Sequence, residues 1–380
     1  MRTGRLSFFE SVMLVSGAGI GTGILTIPYA VAEIGIWGTL ISLAFAYAAS
    51  AVLYLMIADL SLHSDRSSDL ISILDRHLFR GRKGPKTAFF VILTLLILEN
   101  LVVYIMTASD VITDLLPLSA PVSKLLFWTA ATVVILFGVR GLGIGEKVSV
   151  VLISAVVTAL TVLSLFHRHR HLDMTFGKPG LIFAVYGLFM FTFSAIFSVV
   201  QVCGYIEKPE KAGKAVVCGL TVNAAVTLTF TLAVILGSVD VTPVATIGLC
   251  EGIGLPALRP VCAVFVLCAM LSSFWSSGLA LTDVLTLQTH IPRRLSWLIG
   301  TIPALLASVL LPLGIMDYVQ LGAGALSVIL ILVVIPAYRN AVKTNERPPL
   351  LGRAAKNPIL LGAVCAAVCL MAVSSLIPIP

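Results

Sequence analysis

Four glycines interrupt the first apolar stretch of this chain. Residues 11–28 read SVMLVSGAGIGTGILTIP, with glycine at Gly17, Gly19, Gly21 and Gly23. A glycine inside a helix costs about 1 kcal/mol relative to alanine, and backbone that leaves a helix within a bilayer needs protein, water or ligand as its hydrogen-bond partner. The pattern therefore predicts a membrane helix that breaks halfway, which is typical of a transporter's binding site. The alternative is that the glycines form a close-packing face for a neighbouring helix.

The composition indicates that the whole chain lies in a membrane. Hydrophobic residues make up 58% of the 380 residues and charged residues 11%, and the mean hydropathy is +1.06. About 20 apolar residues cross a bilayer as a helix, so the chain is expected to be an all-α integral membrane protein. Its formal charge of +7 comes from residues in loops, so we expect a lipid bilayer and not nucleic acid as its partner.

Eleven apolar runs are long enough to be membrane spans. They cover residues 7–33, 37–60, 87–110, 122–139, 145–166, 179–204, 214–237, 259–285, 295–313, 316–337 and 358–377. With the N-terminus in the cytoplasm, twenty of the 25 Lys and Arg residues fall on the cytoplasmic side, as the positive-inside rule requires. We therefore expect a multi-pass protein of the cytoplasmic (inner) membrane with its C-terminus outside.

The sixth run is also interrupted by polar residues. Residues 186–205 read YGLFMFTFSAIFSVVQVCGY, in which Thr192, Ser194 and Ser198 separate aromatic and aliphatic residues. This pattern predicts a second broken helix. The alternative is a continuous sixth helix whose serines pack against neighbouring helices.

The positions of the two irregular runs indicate an inverted repeat. Each is the first run of a group of five, one group covering about 7–166 and the other about 179–337. Paired irregular spans at corresponding positions are what an inverted-repeat transporter has. We therefore expect a ten-helix core over residues 1–340, followed at 341–380 by a cytoplasmic linker and an eleventh helix.

A break in the first span would create two ends of opposite polarity. The outer half begins near Thr22, where free backbone N–H groups suit a carboxylate. The inner half ends near Ser16–Gly19, where free carbonyl groups suit a cation or an ammonium group. A zwitterionic amino acid matches both ends, and glycine lets a ligand touch the backbone directly.

Hydroxyl groups cluster in the eighth span. Ser272 and Ser276 form one pair spaced four residues apart, and Ser273 and Ser277 form another, so the four hydroxyls share a broad helix face. Together with carbonyl groups of the first span they are able to enclose a monovalent cation. The alternative is ordinary hydrogen bonding between helices.

Glu99 is a candidate carrier of a coupled proton. It lies about 20 Å into the third span, where a carboxylate is costly and suggests a function. Alternatively, it pairs with the polar region at Asn100. Tyr104, five residues further on, is able to offer its hydroxyl group to a substrate carboxylate. Four other charged residues fall near span ends and are interpreted as interfacial: Asp59, Asp110, Lys147 and Asp283.

The remaining reactive residues give no catalytic pattern. The seven cysteines lack metal-ligand spacing, although Cys250 and Cys262 would be able to pair if both face the outside. No combination of nucleophile, base and orienting residue is apparent. We therefore expect neither an enzyme nor a cofactor, and no metal beyond a possible Na⁺.

Four segments resemble the amino acid/auxin permease family of the amino acid–polyamine–organocation (APC) superfamily. These segments resemble the first, third, sixth and eighth spans of that family: GAGIGTGILTIPYAVAEIG (17–35), LVVYIMTASDVI (101–112), FMFTFSAIFSVVQVCGYIEKPEKAGKAV (189–216) and AMLSSFWSSGLALTDVL (269–285). The resemblance implies a LeuT-type fold with a 5+5 inverted repeat, broken helices 1 and 6, and secondary active transport of amino acids by alternating access.

The resemblance also implies the roles of individual residues. The substrate carboxylate would be bound by Gly21, Thr22 and Gly23, and Tyr104 would close over the ligand. The opposite wall would consist of Phe191, Thr192, Phe193, Ser194 and Ala195. In sodium-coupled relatives the ion would be held at Ser16, Gly19, Ala269, Ser272 and Ser273.

Two departures from related transporters restrict the mechanism. Some proton-coupled relatives have a Lys in the fifth span, but here residues 148–157 contain none and Lys147 lies at the start of the span. The Asp-Pro-Gly-Asn motif of metal transporters is also missing from the first span. The expected function is symport of a neutral amino acid with Na⁺ or H⁺; these residues specify neither the ion nor the oligomeric state. The rival is a receptor subunit that binds an amino acid without transport.

Overall fold

The computed structural model describes residues 5–64, 69–177, 179–310, 326, 329–344, 349–374 and 376–377. These residues form fifteen α-helices: α1 (Phe8–Gly19), α2 (Gly23–Val31), α3 (Gly35–Leu62), α4 (Leu70–Leu74), α5 (Lys83–Leu115), α6 (Ala120–Leu136), α7 (Gly138–Phe166), α8 (Pro179–Thr192), α9 (Ile196–Tyr205), α10 (Ala212–Gly237), α11 (Ala245–Ile253), α12 (Leu258–Thr289), α13 (Arg293–Leu310), α14 (Ile335–Thr344) and α15 (Pro358–Ser374).

The helices are long and apolar enough to cross a membrane many times. Seven helical segments of the described chain are long and apolar enough to be spans, one of them being the joined pair α8–α9, and the bent pair α1–α2 forms one more. The helices α6 and α15 are apolar but shorter. The predicted all-α membrane architecture is confirmed. Most of the tenth predicted span, 316–337, lies outside the described residues. The described part of it includes a π-helical turn at Leu330–Val334, which is followed directly by α14.

The first span breaks where the glycines predict. A capping box starts α1: the Ser7 side chain accepts from the Glu10 N–H at 3.2 Å, and the Glu10 carboxylate accepts from the Ser7 N–H at 2.8 Å. The helix α1 ends at Gly19 and α2 begins at Gly23, with a bend of 59° between them. The break in the first span is therefore confirmed.

The sixth span is interrupted as well, in a different way. The helix α8 ends at Thr192 and α9 begins at Ile196. Of the breaks in the described spans, that of the first span is the one that bends by more than 40°. The sixth span thus opens over Phe193–Ala195 and continues in a similar direction.

The start of the fifth span differs from the predicted one. The sequence places it at residue 145, but α7 begins at Gly138, which has φ +63°, directly after α6. Arg140, which lies outside the predicted span, and Lys147, which lies at its start, are therefore both inside α7. The glycines that lower the hydropathy of this segment are packing positions, since Gly143 lies against Leu6 and Gly145 lies against the Trp275 ring.

The broken first span lies at the centre of the bundle. The helix α1 packs against α7, α10 and α12, which are the fifth, seventh and eighth spans. Leu14, Ile20 and Ile24 of the first span are completely buried. The break is thereby enclosed by protein, as the bilayer requires of backbone that leaves a helix.

Candidate functional site

The breaks of the first and sixth spans touch each other. Asn223 of α10 donates from Nδ2 to the Thr192 carbonyl oxygen at 3.3 Å. A Cβ atom at Gly19 would overlap the Asn223 amide and lie 2.8 Å from the same carbonyl oxygen. This position therefore requires glycine for the close approach of the two breaks.

A small cavity of about 50 Å³ lies between the two breaks. Its walls come from both breaks and from α5 and α12. The predicted site residues that line it are Gly19, Gly21, Thr22, Gly23, Tyr104, Phe191, Thr192, Ser194 and Ala195. Phe193 is completely buried outside this lining and stacks on Phe189, with ring centroids 6.0 Å apart. No charged side chain belongs to the described lining.

The start of α2 faces the cavity with uncapped backbone. Thr22 is the N-cap residue, and within the described residues its side chain makes no capping hydrogen bond. The first N–H groups of a helix have no partner inside the helix and carry a partial positive charge. The Thr192 hydroxyl is buried against Gly23 and has no hydrogen-bond partner in the described part of the chain. This end of α2 thus presents hydrogen-bond donors to the cavity.

Tyr104 approaches the same end from α5. Its ring lies 3.6 Å from the position of a Cβ atom at Gly21, and its hydroxyl donates to Asn100 Oδ1 at 3.5 Å. The tyrosine is 9% exposed. Its ring is thus held beside the break at Gly21.

The predicted cation residues lie at the end of α1 and on α12. The Ser273 hydroxyl is directed at the carbonyl oxygens of Ala18 and Ile20, at 3.4 and 3.5 Å. Ala269 and Ser16 are completely buried, and no described residue accepts or donates a hydrogen bond at the Ser16 hydroxyl. Ser272 is engaged elsewhere, because its hydroxyl donates to the Glu146 carboxylate.

Glu146 was missed in the sequence. The predicted fifth span starts at residue 145, so Glu146 would be its second residue, near the membrane surface. The observed helix starts at Gly138, so Glu146 lies about 12 Å along it. The residue is completely buried. The signal for Glu146 was a charged residue inside an apolar helix, which becomes visible when the fifth span is started at the glycine-rich segment before residue 145.

Two further polar residues at the breaks were missed. Tyr54 of α3 donates its hydroxyl hydrogen to the Phe193 carbonyl and accepts from the Ala195 N–H at 3.0 Å, so it satisfies backbone at the sixth-span break. Asn223 also accepts from Thr227 at 3.1 Å. The sequence signal for both Tyr54 and Asn223 was a polar side chain within an apolar span, which suggests a function.

Glu99 lies behind the cavity. Its carboxylate accepts from Asn100 Nδ2 at 3.4 Å, and Asn100 lines the cavity while Glu99 does not. Its side chain is half-buried. Glu99 thus contacts a lining residue of the cavity without lining it itself.

The site opens towards α11. A cavity of about 520 Å³ extends from Thr22, which also lines the central cavity, past Asp110 and Asp114 to Glu251 and Arg259. Cys250 and Cys262, suggested as a pair by the sequence, also line this cavity, and their sulfur atoms are 3.6 Å apart. Thr22 therefore lies between the wide cavity on the α11 face and the small cavity at the breaks.

The opposite face is closed by polar contacts. The cavity there measures about 30 Å³. Gln288 Nε2 donates to Asp69 Oδ1 at 3.1 Å, and Arg293 forms an ion pair with Asp283 at 3.3 Å. The segment before α1 is also tied to the end of α9, since Leu6 N–H donates to the Tyr205 carbonyl at 2.9 Å.

Comparisons with known proteins agree with this architecture. Solved structures with the same fold include Mhp1, a nucleobase-cation-symport-1 family transporter in a closed conformation with bromovinylhydantoin bound. The TM-score is 0.72 at 14% sequence identity, and the match covers 98% of this chain and 91% of Mhp1. The solved structures also include MhsT in complex with L-phenylalanine, with a TM-score of 0.70 at 14% identity, covering 96% of this chain and 98% of that one. No curated protein sequence matches the chain significantly.

The family itself is shown by a match over most of the chain. The model of the family described as transmembrane amino acid transporter protein matches residues 4–238. This range contains both breaks, Tyr104 and Glu146. Both transporter structures have the LeuT-type fold, which the chain shares. The chain therefore belongs to the transmembrane amino acid transporter family, whose members are membrane transporters and not enzymes.

Proposed function

We propose that the protein is a symporter that moves a neutral amino acid across the cytoplasmic membrane together with Na⁺ or H⁺. One observation carries the proposal. The central cavity has uncapped N–H groups at the start of α2, carbonyl groups at the end of α1, and no charged side chain in its described lining.

Each part of a neutral amino acid has a matching surface. The carboxylate fits the N–H groups at Gly21–Gly23 and the Tyr104 hydroxyl, because these donors lie at the positive end of a helix. The ammonium group fits the carbonyl oxygens at the end of α1. The apolar wall, which includes Leu96, Phe191 and Phe197, fits an uncharged side chain, since an unpaired charge there would be costly.

The two unequal cavities support alternating access. The wide cavity on the α11 face and the closed Asp69 face correspond to one open and one shut side of a transporter. With the N-terminus in the cytoplasm, the α11 face is the outer one. A substrate that binds one conformation more tightly shifts the population towards it, so substrate bound between the breaks favours closure of the outer cavity.

Purified protein in liposomes tests this proposal. Uptake of each of the twenty amino acids is measured under an inward Na⁺ gradient and, separately, under an inward proton gradient. We expect accumulation of one or more neutral amino acids under at least one gradient. Failure to move any amino acid would reject transport, and ligand binding without flux would indicate a receptor subunit instead.

Two glycine variants test the proposed position of the substrate. Gly21→Leu fills the space between Ser273 and Tyr104, whereas Gly362 in α15 has no atom within 4 Å of its Cβ position. We expect Gly21→Leu to abolish uptake and Gly362→Leu to keep it. Equal uptake by both variants would contradict the proposed position of the substrate.

A further inference from the structure

Two cysteine side chains meet at the wall of the wide cavity, one from α11 and one from α12. The sulfur atom of Cys250 lies 3.6 Å from that of Cys262, and both residues line the cavity of about 520 Å³. All seven cysteines of the chain fall within the described residues. Cys250 and Cys262 are the pair among them that is joined by a sulfur–sulfur hydrogen bond.

The backbone between the two helices holds these cysteines side by side. Gly254 ends α11 with a left-handed φ of +70°, which glycine adopts without steric cost, and its N–H donates to the Cys250 carbonyl at 3.0 Å. Only residues 254–257 separate the helices, and the Leu258 N–H at the start of α12 donates to the Leu255 carbonyl at 2.9 Å. The last turn of α11 is therefore fixed next to the second turn of α12.

The two thiols differ in access and in reactivity. Cys250 is half-buried and faces the wide cavity, whereas Cys262 is 3% exposed. The hydrogen bond with Cys262 lowers the pKa of Cys250, and the charge of Arg259 acts in the same direction, whereas burial and the charges of Glu251 and Asp114 oppose the shift. Because the thiolate is the reactive form, Cys250 is suited to react first and Cys262 second.

The surroundings favour a covalent bond over a shared metal ion. A zinc ion bound by thiolates takes further protein ligands, usually four in all. Among the described residues there is no group of three or more His, Cys, Asp and Glu side chains that could hold a metal. With the N-terminus in the cytoplasm, these thiols face the outer compartment, and disulfide bonds persist outside the cytoplasm.

We propose that Cys250 and Cys262 form a disulfide bond that fastens α11 to α12, an inference that rests on the outer position of this face in the proposed function. The Cys250 thiolate attacks one sulfur of a disulfide-bearing oxidant and displaces a thiolate. The Cys262 thiolate then attacks the Cys250 sulfur of the mixed disulfide and displaces the second thiolate. Two cysteine thiols are thereby oxidised, the disulfide of the oxidant is reduced to two thiols, and the two cysteine protons pass to those thiols.

The bond acts on a helix that forms part of the outer wall. The helix α11 supplies Thr246, Ile247, Cys250 and Glu251 to the lining of the wide cavity. It packs against α2, which begins at the first break, and against α10 and α12. A bond to α12 therefore keeps this wall in place beside the outer half of the broken span.

Counting free thiols tests whether the bond forms. Protein is purified from membranes without reductant, denatured and alkylated, and the alkylated cysteines are counted by mass spectrometry. Of the seven cysteines, we expect two to be protected until reductant is added, in peptides that contain Cys250 and Cys262. Cys250→Ala and Cys262→Ala are each expected to lose all protection. The control Cys268→Ala, at a half-buried position on the same helix, keeps two protected cysteines.

Unfolding temperatures test whether the bond stabilises the protein. A disulfide that closes a short loop is expected to raise the unfolding temperature by about 4 °C. We expect Cys250→Ala, Cys262→Ala and the double variant to show the same fall, because each removes one and the same bond. Reductant should produce this fall in the wild type and in Cys268→Ala, and no further fall in the other variants.

Several outcomes would overturn the bond. Seven free thiols in the unreduced wild type would do so, and so would protection that appears only after a chemical oxidant is added. Additive falls in the two single variants, with no effect of reductant on the wild type, would show two separately packed thiols. Thiol counting on the wild type decides the question even if a variant fails to fold.

Failure of the bond is distinguishable from failure of the proposed function. Seven free thiols in a protein that accumulates a neutral amino acid in liposomes would remove the disulfide and leave the symport intact. A protein with two protected cysteines that neither binds nor moves any amino acid would reject the symport and retain the bond.

Discussion

The two breaks at the centre of the molecule are maintained by opposite means. In the first span, glycines leave room for neighbouring groups to approach the backbone, and Glu146, Ser272, Asn223 and Thr192 all occupy space where a Cβ atom would lie. The sixth-span break, Phe193–Ala195, contains no glycine, and the Tyr54 hydroxyl satisfies backbone groups on either side. One break thus depends on free volume and the other on a side chain that replaces missing helix hydrogen bonds.

The largest expected effect on transport comes from removing free volume at the first break. Gly19→Val would bring side-chain atoms against the Asn223 amide and the Thr192 carbonyl oxygen, and the carbonyl is backbone that cannot rotate away. Overpacking of this kind costs about 1–3 kcal/mol or more. We expect loss of substrate binding and a lower thermal unfolding temperature, measured on detergent-purified protein.

The matched control for this prediction is Gly362→Val, at an open helix position in α15. It makes the same substitution in a helix without the clash. An equal fall in unfolding temperature for both variants would show that the first break does not depend on free volume.

The second prediction addresses the side chain that holds the sixth-span break. Tyr54→Phe removes the hydroxyl and leaves the Phe193 carbonyl and the Ala195 N–H without their partner. Each buried group left unsatisfied costs about 1–3 kcal/mol. We expect a clear loss of stability and slower uptake, measured by thermal unfolding and by liposome flux.

Tyr47→Phe serves as the control in the same helix. The Tyr47 hydroxyl bonds to Thr221 at 2.8 Å in exposed surroundings, so its loss is expected to change stability by less than about 0.5 kcal/mol. If Tyr54→Phe is as mild as Tyr47→Phe, the sixth-span break does not rely on a side chain.

The third prediction tests whether the two breaks are linked through Asn223. Its amide bonds to the Thr192 carbonyl and lies where a Cβ atom at Gly19 would be. We expect Asn223→Ala to make Gly19→Ala less harmful, with a coupling of about 0.5–3 kcal/mol in a double-mutant cycle. Strictly additive effects on the unfolding temperature would mean that the breaks are independent.

The sequence predicted the structure best where residue types that weaken a helix interrupt an apolar span. The glycine series at Gly17–Gly23 predicted the first break because alternate glycines weaken a helix that is otherwise apolar. Thr192 and Ser194 predicted the second break and the cavity wall. Tyr104 could be placed because its segment resembles a known span.

Contacts between distant segments could not be read in this way. Tyr54 lies in a run that reads as an ordinary membrane helix, and its partner backbone is 139 residues away. Glu146 was hidden because the glycines of its segment lower the local hydropathy, so the helix seemed to start later than it does. Only packing shows that those glycines are helical contact positions for Leu6 and Trp275.

The smallest effect is expected for Gly21→Ala, which compares two glycines of the first break. A Cβ atom at Gly19 meets backbone, whereas one at Gly21 meets side chains only. A Cβ atom at Gly21 would lie 3.1 Å from the Ser273 hydroxyl and 3.6 Å from the Tyr104 ring, both side-chain atoms that are able to shift. We expect Gly21→Ala to leave the unfolding temperature nearly unchanged and to weaken substrate binding modestly, because the methyl group narrows the central cavity. Ligand-induced thermal stabilisation measures this effect. A loss of folding as severe as that of Gly19→Val would show that every glycine of the break is required equally, whereas the contacts predict a steep difference between Gly19 and Gly21.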